Sequence, residues 1–348
     1  MYFDVAMPLT LFLVILIAMF LDEKVEGKLK GAFEERQFRV RDALLLIAAM
    51  SVAVSLVVFI PQMAIMIMFL FAYSMLLFIF TYLFSNFRKA EAKLFYMTFL
   101  LISLLAATIS LFNFGANIMV AYGALVLFGL CGFTFVALLY EGSRVKTEER
   151  WYLAVLPPAL FICLYLFFSR TRIWFPYLLD LYGIVFAVLV ILYLGSLFTW
   201  KTTLIFVGLL TVMDVILVLF TGTMVSAASH VEGLRLPVLI YLPAVPGDVT
   251  EIGRLYTGLG LGDFFFAGLI GVQTMKKFGK SIAAASAIAM SASFFIFQAV
   301  MLNAGFNAFP GTLMIICGWL PILLYKRIKR QNSVEINPKE VIVASLAK

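Results

Sequence analysis

Charge is scarce in this sequence. Only 13% of its 348 residues are Asp, Glu, Lys or Arg, against 64% hydrophobic, and the mean hydropathy is +1.07. A soluble domain carries about 25% charged and about 45–50% apolar residues, so a soluble enzyme, a disordered chain and a nucleic-acid-binding domain are excluded. Histidine occurs once, at His230, and cysteine three times, at Cys131, Cys163 and Cys317, each inside an apolar run. These residues give no metal-ligand spacing and no disulfide framework, and His230 reads as a solvated loop residue. No Ser/Lys or Ser/His constellation lies within the apolar runs, and no cofactor is expected. The N-terminus, Met1-Tyr2-Phe3-Asp4, has no cationic stretch and no small-residue cleavage site follows, so a retained first span is expected.

What the sequence has in abundance is apolar runs near the roughly 20 residues a bilayer-spanning helix needs. Eleven are counted: Val5–Leu21, Ala43–Ile60, Met63–Phe84, Leu94–Phe112, Asn117–Tyr140, Trp151–Phe168, Tyr177–Thr199, Thr203–Thr221, Thr257–Met275, Ile282–Leu302 and Phe309–Tyr325. With the N-terminus outside, the inner loops and tail hold 22 of the 26 Lys and Arg, and the outer loops hold 4. Cationic loops resist translocation, so this split predicts an all-α polytopic protein of the cell membrane with an outer N-terminus and a cytoplasmic C-terminus. The net charge of +7 is thereby a topology signal, with Lys326–Arg330 also facing anionic headgroups. Two connections are long. Residues 22–42 mix six basic with six acidic residues, as a solvated helix or hairpin would. In the outer connection Gly222–Tyr256, the apolar segment Leu234–Val245 is cut by Pro237 and Pro243, which predicts a strand or re-entrant piece. No repeat marks an inverted-repeat transporter.

A carboxylate deep in a bilayer costs about 2.5–3.5 kcal/mol on insertion scales, so each one is a candidate functional residue. Asp214 and Asp263 stand out, while Asp180, four residues past Pro176, reads as a snorkelling or paired group near an interface. At 1.5 Å per residue Asp214 lies roughly 10 Å below the outer end of its span and Asp263 roughly 9 Å below the start of the next. Two such carboxylates facing each other share a proton. The ionised one can take a proton from water while the other donates to a carbonyl oxygen, the chemistry of an aspartic protease. Gly258, Gly260 and Gly262 strip side chains from the backbone before Asp263, for close approach of a substrate strand or for helix packing.

The run Gly260-Leu261-Gly262-Asp263 resembles the GLGD motif of the intramembrane aspartyl proteases, the presenilin and signal peptide peptidase family, with the other aspartate on the preceding span, 49 residues upstream. Asp214-x-Ile216-x-Val218-x-x-Thr221-x-x-Met224, followed by Leu236-Pro237, is similar to archaeal members. The resemblance covers about Leu204 to Leu324. Two positions depart from it. Met213 stands where the family usually has Tyr, and Pro310-Gly311-Thr312-Leu313 stands where it has Pro-Ala-Leu. The resemblance implies a protease core over residues 62–348, with catalytic helices near 203–221 and 257–275 and a last helix near 309–325. Residues 1–61 then supply two additional spans. It also implies catalytic Asp214 and Asp263, with Gly260, Leu261, Gly262, Pro310, Gly311, Thr312 and Leu313 shaping the site. The implied substrates are single-span helices or signal-peptide remnants in the lipid bilayer, their N-termini inside. They are unwound before cleavage because a helix hides its carbonyls, and the Leu234–Val245 edge can pair with them by strand addition. A proton- or cation-coupled transporter using the same aspartates and a non-catalytic relative are the alternatives.

Overall fold

The computed structural model describes residues 3–32, 37–60, 73–77, 79, 89–112, 118–140, 151–245, 249–250, 253–254, 256–306 and 308–336. The expected span Met63–Phe84 and the end of the C-terminal tail lie largely outside these residues. Eleven α-helices are described: α1 Ala6–Ala32, α2 Val40–Phe59, α3 Lys89–Phe112, α4 Ile118–Tyr140, α5 Trp151–Phe168, α6 Leu179–Leu197, α7 Trp200–Val215, α8 Thr223–Leu234, α9 Leu261–Phe278, α10 Lys280–Ala304 and α11 Gly311–Ile336. Wider π-type turns precede α6 (Trp174–Leu178) and follow α7 (Ile216–Phe220). Among the described residues, six helical segments are long and apolar enough to cross a membrane, and three shorter apolar helices accompany them. The protein is therefore mostly helical and built for a membrane.

The helices keep their polar groups to themselves. On α3 and α4 the hydroxyls of Thr98, Thr108 and Thr134 donate to the carbonyl four residues back, which spares them the cost of an unpaired polar group in an apolar medium. Large side chains such as Leu101, Ile102, Leu105 and Ile109 point outward from α3, as a lipid-facing surface requires.

The centre of the molecule is α9, in which every residue from Phe264 to Thr274 is buried. It packs against α1, α6, α7, α10 and α11, which is why it is apolar on all sides. Gly268 lets α6 come close, since a Cβ there would lie 2.6 Å from Ile191 Cγ1. Hydrogen bonds fix the register near its C-terminal end. Gln273 Nε2 donates to the carbonyls of Gly195 (2.8 Å) and Phe198 (3.0 Å), and Trp319 Nε1 donates to Thr274 Oγ1 (3.1 Å). The first helix belongs to this core, because Met7, Leu11, Ile15 and Ala18 are fully buried in it and α1 packs on α6, α9 and α10. The acidic part of the 22–42 connection prolongs α1 as a helix, and Lys276 pairs with Asp22 (3.1 Å) and Glu26 (3.3 Å) there.

The connection 222–256 differs from a plain loop. It folds as α8, followed by strand β1 Leu239–Pro243, the short strands β2 Val249–Thr250 and β3 Gly253–Arg254, and β4 Tyr256–Gly260. A strand in Leu234–Val245 agrees with the sequence, whereas the helix over Thr223–Leu234 was not foreseen. β1 pairs antiparallel with β4, Ile240 opposite Leu259 and Tyr241 opposite Gly258. This corrects the expected helix Thr257–Met275. Residues 257–260 are a strand, and the helix starts at Leu261. Alternating glycines weaken a helix by about 1 kcal/mol each, while β1 supplies a partner for an extended strand.

Candidate functional site

Three chain breaks meet where the sequence placed its carboxylates. Helix α7 begins at a Thr199 cap, whose side chain accepts from the Thr202 N–H, and gives way to the π-type turn after Val215. Asp214 therefore sits in the last regular turn, and it is buried. Helix α9 starts directly after β4, with Gly260 as an extended N-cap that has no side chain to satisfy the first N–H groups. Asp263 stands in the first turn with its carboxyl beside Gly260, where a Cβ would lie 3.4 Å from Oδ2. Asp263 thus lies at the start of its helix, not a turn and a half inside it as the sequence arithmetic implied.

The third break is the start of α11. Thr312, in its first turn, donates to Asp214 Oδ2 from both Oγ1 (2.6 Å) and the backbone N–H (3.3 Å). The adjacent residue, Gly311, faces the other carboxylate. A Cβ built on Gly311 would stand 2.6 Å from Asp263 Cγ and 2.9 Å from its Oδ2. Two consecutive residues of one helix start therefore each touch one of the two aspartates, which lie within electrostatic reach of each other. Both carboxylates meet the N-terminal end of a helix, where unpaired N–H groups stabilise negative charge by about 0.3–1 kcal/mol. Irregular backbone at membrane depth is tolerated only where protein buries it or where it lines a water-filled cavity.

Of the residues singled out in the sequence, Asp214, Asp263, Gly260, Gly311 and Thr312 are brought together. Pro310 is buried, and Phe309 before it stacks on Phe297 at 5.6 Å. Leu261 and Leu313 are half-buried, and the Leu261 N–H donates to the Val238 carbonyl (2.9 Å), joining α9 to the end of β1. Gly262 is exposed and a Cβ there would meet nothing within 4 Å. Met213 turns toward α2, where Ser51 Oγ donates to its sulfur (2.7 Å). His230 is exposed on α8, and among the described residues no cluster of His, Cys, Asp and Glu has the spacing to hold a metal.

Two carboxylates frame the strand pair beside the dyad. Asp180 proves to be the paired kind, as its Oδ1 accepts the Tyr241 N–H (2.7 Å) and occupies the outer edge of β1. Asp4, unmarked in the sequence reading, is buried. Its Oδ1 accepts from the N–H groups of Ala6 (2.9 Å) and Val245 (3.1 Å), and its Oδ2 from Thr257 Oγ1 (2.7 Å) and Gln298 Nε2 (3.3 Å). An Asp just before an apolar run is a helix-cap signature, and that was the available signal. In the β1–β4 ladder the Val238 carbonyl bonds the Leu261 N–H, so alternation turns the backbone groups of Gly258 and Gly260 to the outer edge of β4. That edge runs to Asp263. Tyr241 lies over Gly258, whose Cβ would be 3.1 Å from its ring, and burial and the nearby Glu232 push the Tyr241 hydroxyl well above the ordinary phenol range. No family model matches the chain, and no curated protein matches it.

Proposed function

We propose that the protein is an intramembrane aspartic endopeptidase of the presenilin and signal peptide peptidase kind, with Asp214 and Asp263 as its catalytic pair. The observation that carries the reading is that both carboxylates flank the same Gly311-Thr312 helix start, one touching each residue. In this reading one aspartate is ionised and removes a proton from water, whose oxygen attacks the scissile carbonyl. The other is protonated and donates to the carbonyl oxygen, giving a tetrahedral diol. Collapse of the diol breaks the C–N bond as a carboxyl proton passes to the leaving nitrogen. The other carboxylate takes a proton from a diol hydroxyl as the carbonyl re-forms, so water is consumed and both carboxyls return to their starting protonation states. The chemistry needs only these two side chains and water, and Thr312 holds one of them still.

The substrate in this reading is a single-span helix or signal-peptide remnant whose backbone unwinds at the scissile bond. The place where it pairs is the outer edge of β4, not β1, because Asp180 and α6 already occupy the edge of β1. A strand added to β4 would satisfy the outward groups of Gly258 and run to Asp263. The proposal includes an eleven-span bundle in the cell membrane, N-terminus outside, with α1 packed into the protease core beside α9.

The test uses purified protein in liposomes with a single-span reporter peptide. Proteolysis predicts fragments from the wild-type and none from Asp214→Asn or Asp263→Asn. A proton- or cation-coupled carrier predicts intact reporter and proton flux that the same substitutions abolish. Intact reporter without flux, across a panel of single-span sequences, is the result for a non-catalytic relative.

A further inference from the structure

We propose that Asp4 is a positioning residue that sets the placement of β4 and thereby of the Gly260–Asp263 turn. The proposal rests on the protease reading for its effect on cleavage and on geometry alone for its effect on the strand. A carboxylate that only capped α1 would use the N–H of Ala6 and face solvent with its remaining lone pairs. Asp4 is instead 1% exposed, and three of its four donors come from elsewhere: Val245 after β1, Thr257 in β4 and Gln298 in α10. The chain crosses at the same point a second time, as the Val5 N–H donates to the Val245 carbonyl (2.9 Å). Residues 4 and 5 thus bind both backbone groups of Val245 and, through Thr257, the opposite strand. They staple the outer ends of β1 and β4 together.

The inner end of that ladder is the Leu261 N–H bonded to Val238, two residues before Asp263. β4 is five residues long, so Thr257 is only three residues from the Gly260 cap and six from Asp263. A shift of the strand at Thr257 is transmitted along extended backbone to the carboxylate. In the protease reading, Asp4 then decides which bond of a substrate strand on β4 stands opposite the aspartates.

The experiment compares full-length wild-type, Asp4→Ala, Asp4→Asn and Thr257→Val in lipid nanodiscs, by amide hydrogen exchange and by mass analysis of reporter fragments. Thr257→Val speeds exchange over residues 256–263 by about tenfold, the effect of one lost hydrogen bond; Asp4→Ala, which removes four acceptor contacts, speeds it at least as much, and both spread cleavage to neighbouring bonds. Asp4→Asn restores much of the protection, since its amide oxygen still accepts both backbone N–H groups. Unchanged exchange over 256–263 in Thr257→Val, with loosening in Asp4→Ala confined to α1, overturns the proposal and leaves Asp4 a helix cap. If wild-type and Asp214→Asn give the same fragments, the protease reading fails, and the exchange data still decide the role of Asp4. Thr257→Val keeps the test open should Asp4→Ala fail to fold.

Discussion

Replacing Thr312 by Val exchanges a hydroxyl for a methyl of similar size and removes one hydrogen bond, the 2.6 Å contact from Oγ1 to Asp214 Oδ2. The backbone N–H of residue 312 remains, at 3.3 Å, as the lesser donor. A hydrogen bond to a charged group contributes about 1.5–3 kcal/mol. In the proposed reaction the Asp214 carboxylate must keep its place beside Asp263 while water is added and the nitrogen leaves. If the whole contact acts in the transition state, a loss of this size slows cleavage roughly 10- to 150-fold. The assay is the initial rate of reporter cleavage in liposomes, with thermal unfolding followed in parallel. Thr312→Ser retains the donor and is expected within a few-fold of wild-type. A Thr312→Val protein that melts with wild-type and cleaves within twofold of its rate refutes the assigned role of Thr312.

Other substitutions probe the same framework. Gly311→Ala places a methyl against the Asp263 carboxyl and forces it to rotate. Displacement by about 1 Å at a reacting group costs on the order of 100-fold, so the cleavage rate falls while the melting temperature changes little. Gly318→Ala drives a methyl onto the backbone carbonyl of Ala289, which cannot move without shifting α10. The expected loss is about 1–3 kcal/mol, read as a lowered unfolding midpoint. Asp180→Ala leaves the Tyr241 N–H without its acceptor, at about 1–3 kcal/mol. Asp180→Asn, which keeps an acceptor, is expected to recover most of the unfolding temperature.

The membrane character and the two aspartates were legible in the sequence because both are strong local signals. Long apolar runs show themselves by composition, and a carboxylate inside one stands out by its cost. What the sequence concealed was set by partners distant along the chain. Residues 257–260 look like the start of a helix until β1, some twenty residues earlier, offers them a strand to pair with. Asp4 looks like an N-terminal cap, and only the fold brings Thr257 and Gln298 to it. That the edge of β1 within Leu234–Val245 meets Asp180 was hidden as well, since this carboxylate lies on α6, 61 residues away in sequence. The short helix Thr223–Leu234 packs against α2, and its composition alone gave no sign of it.

The most direct test of the dyad is a double-mutant cycle on reporter cleavage, with wild-type, Asp214→Ala, Asp263→Ala and the double variant in the same liposomes. Groups that act as one unit are strongly non-additive. Each single variant is expected to lose essentially all cleavage, and the double variant no more than either. Appreciable cleavage by either single variant, or losses that multiply in the double, would contradict a shared catalytic pair.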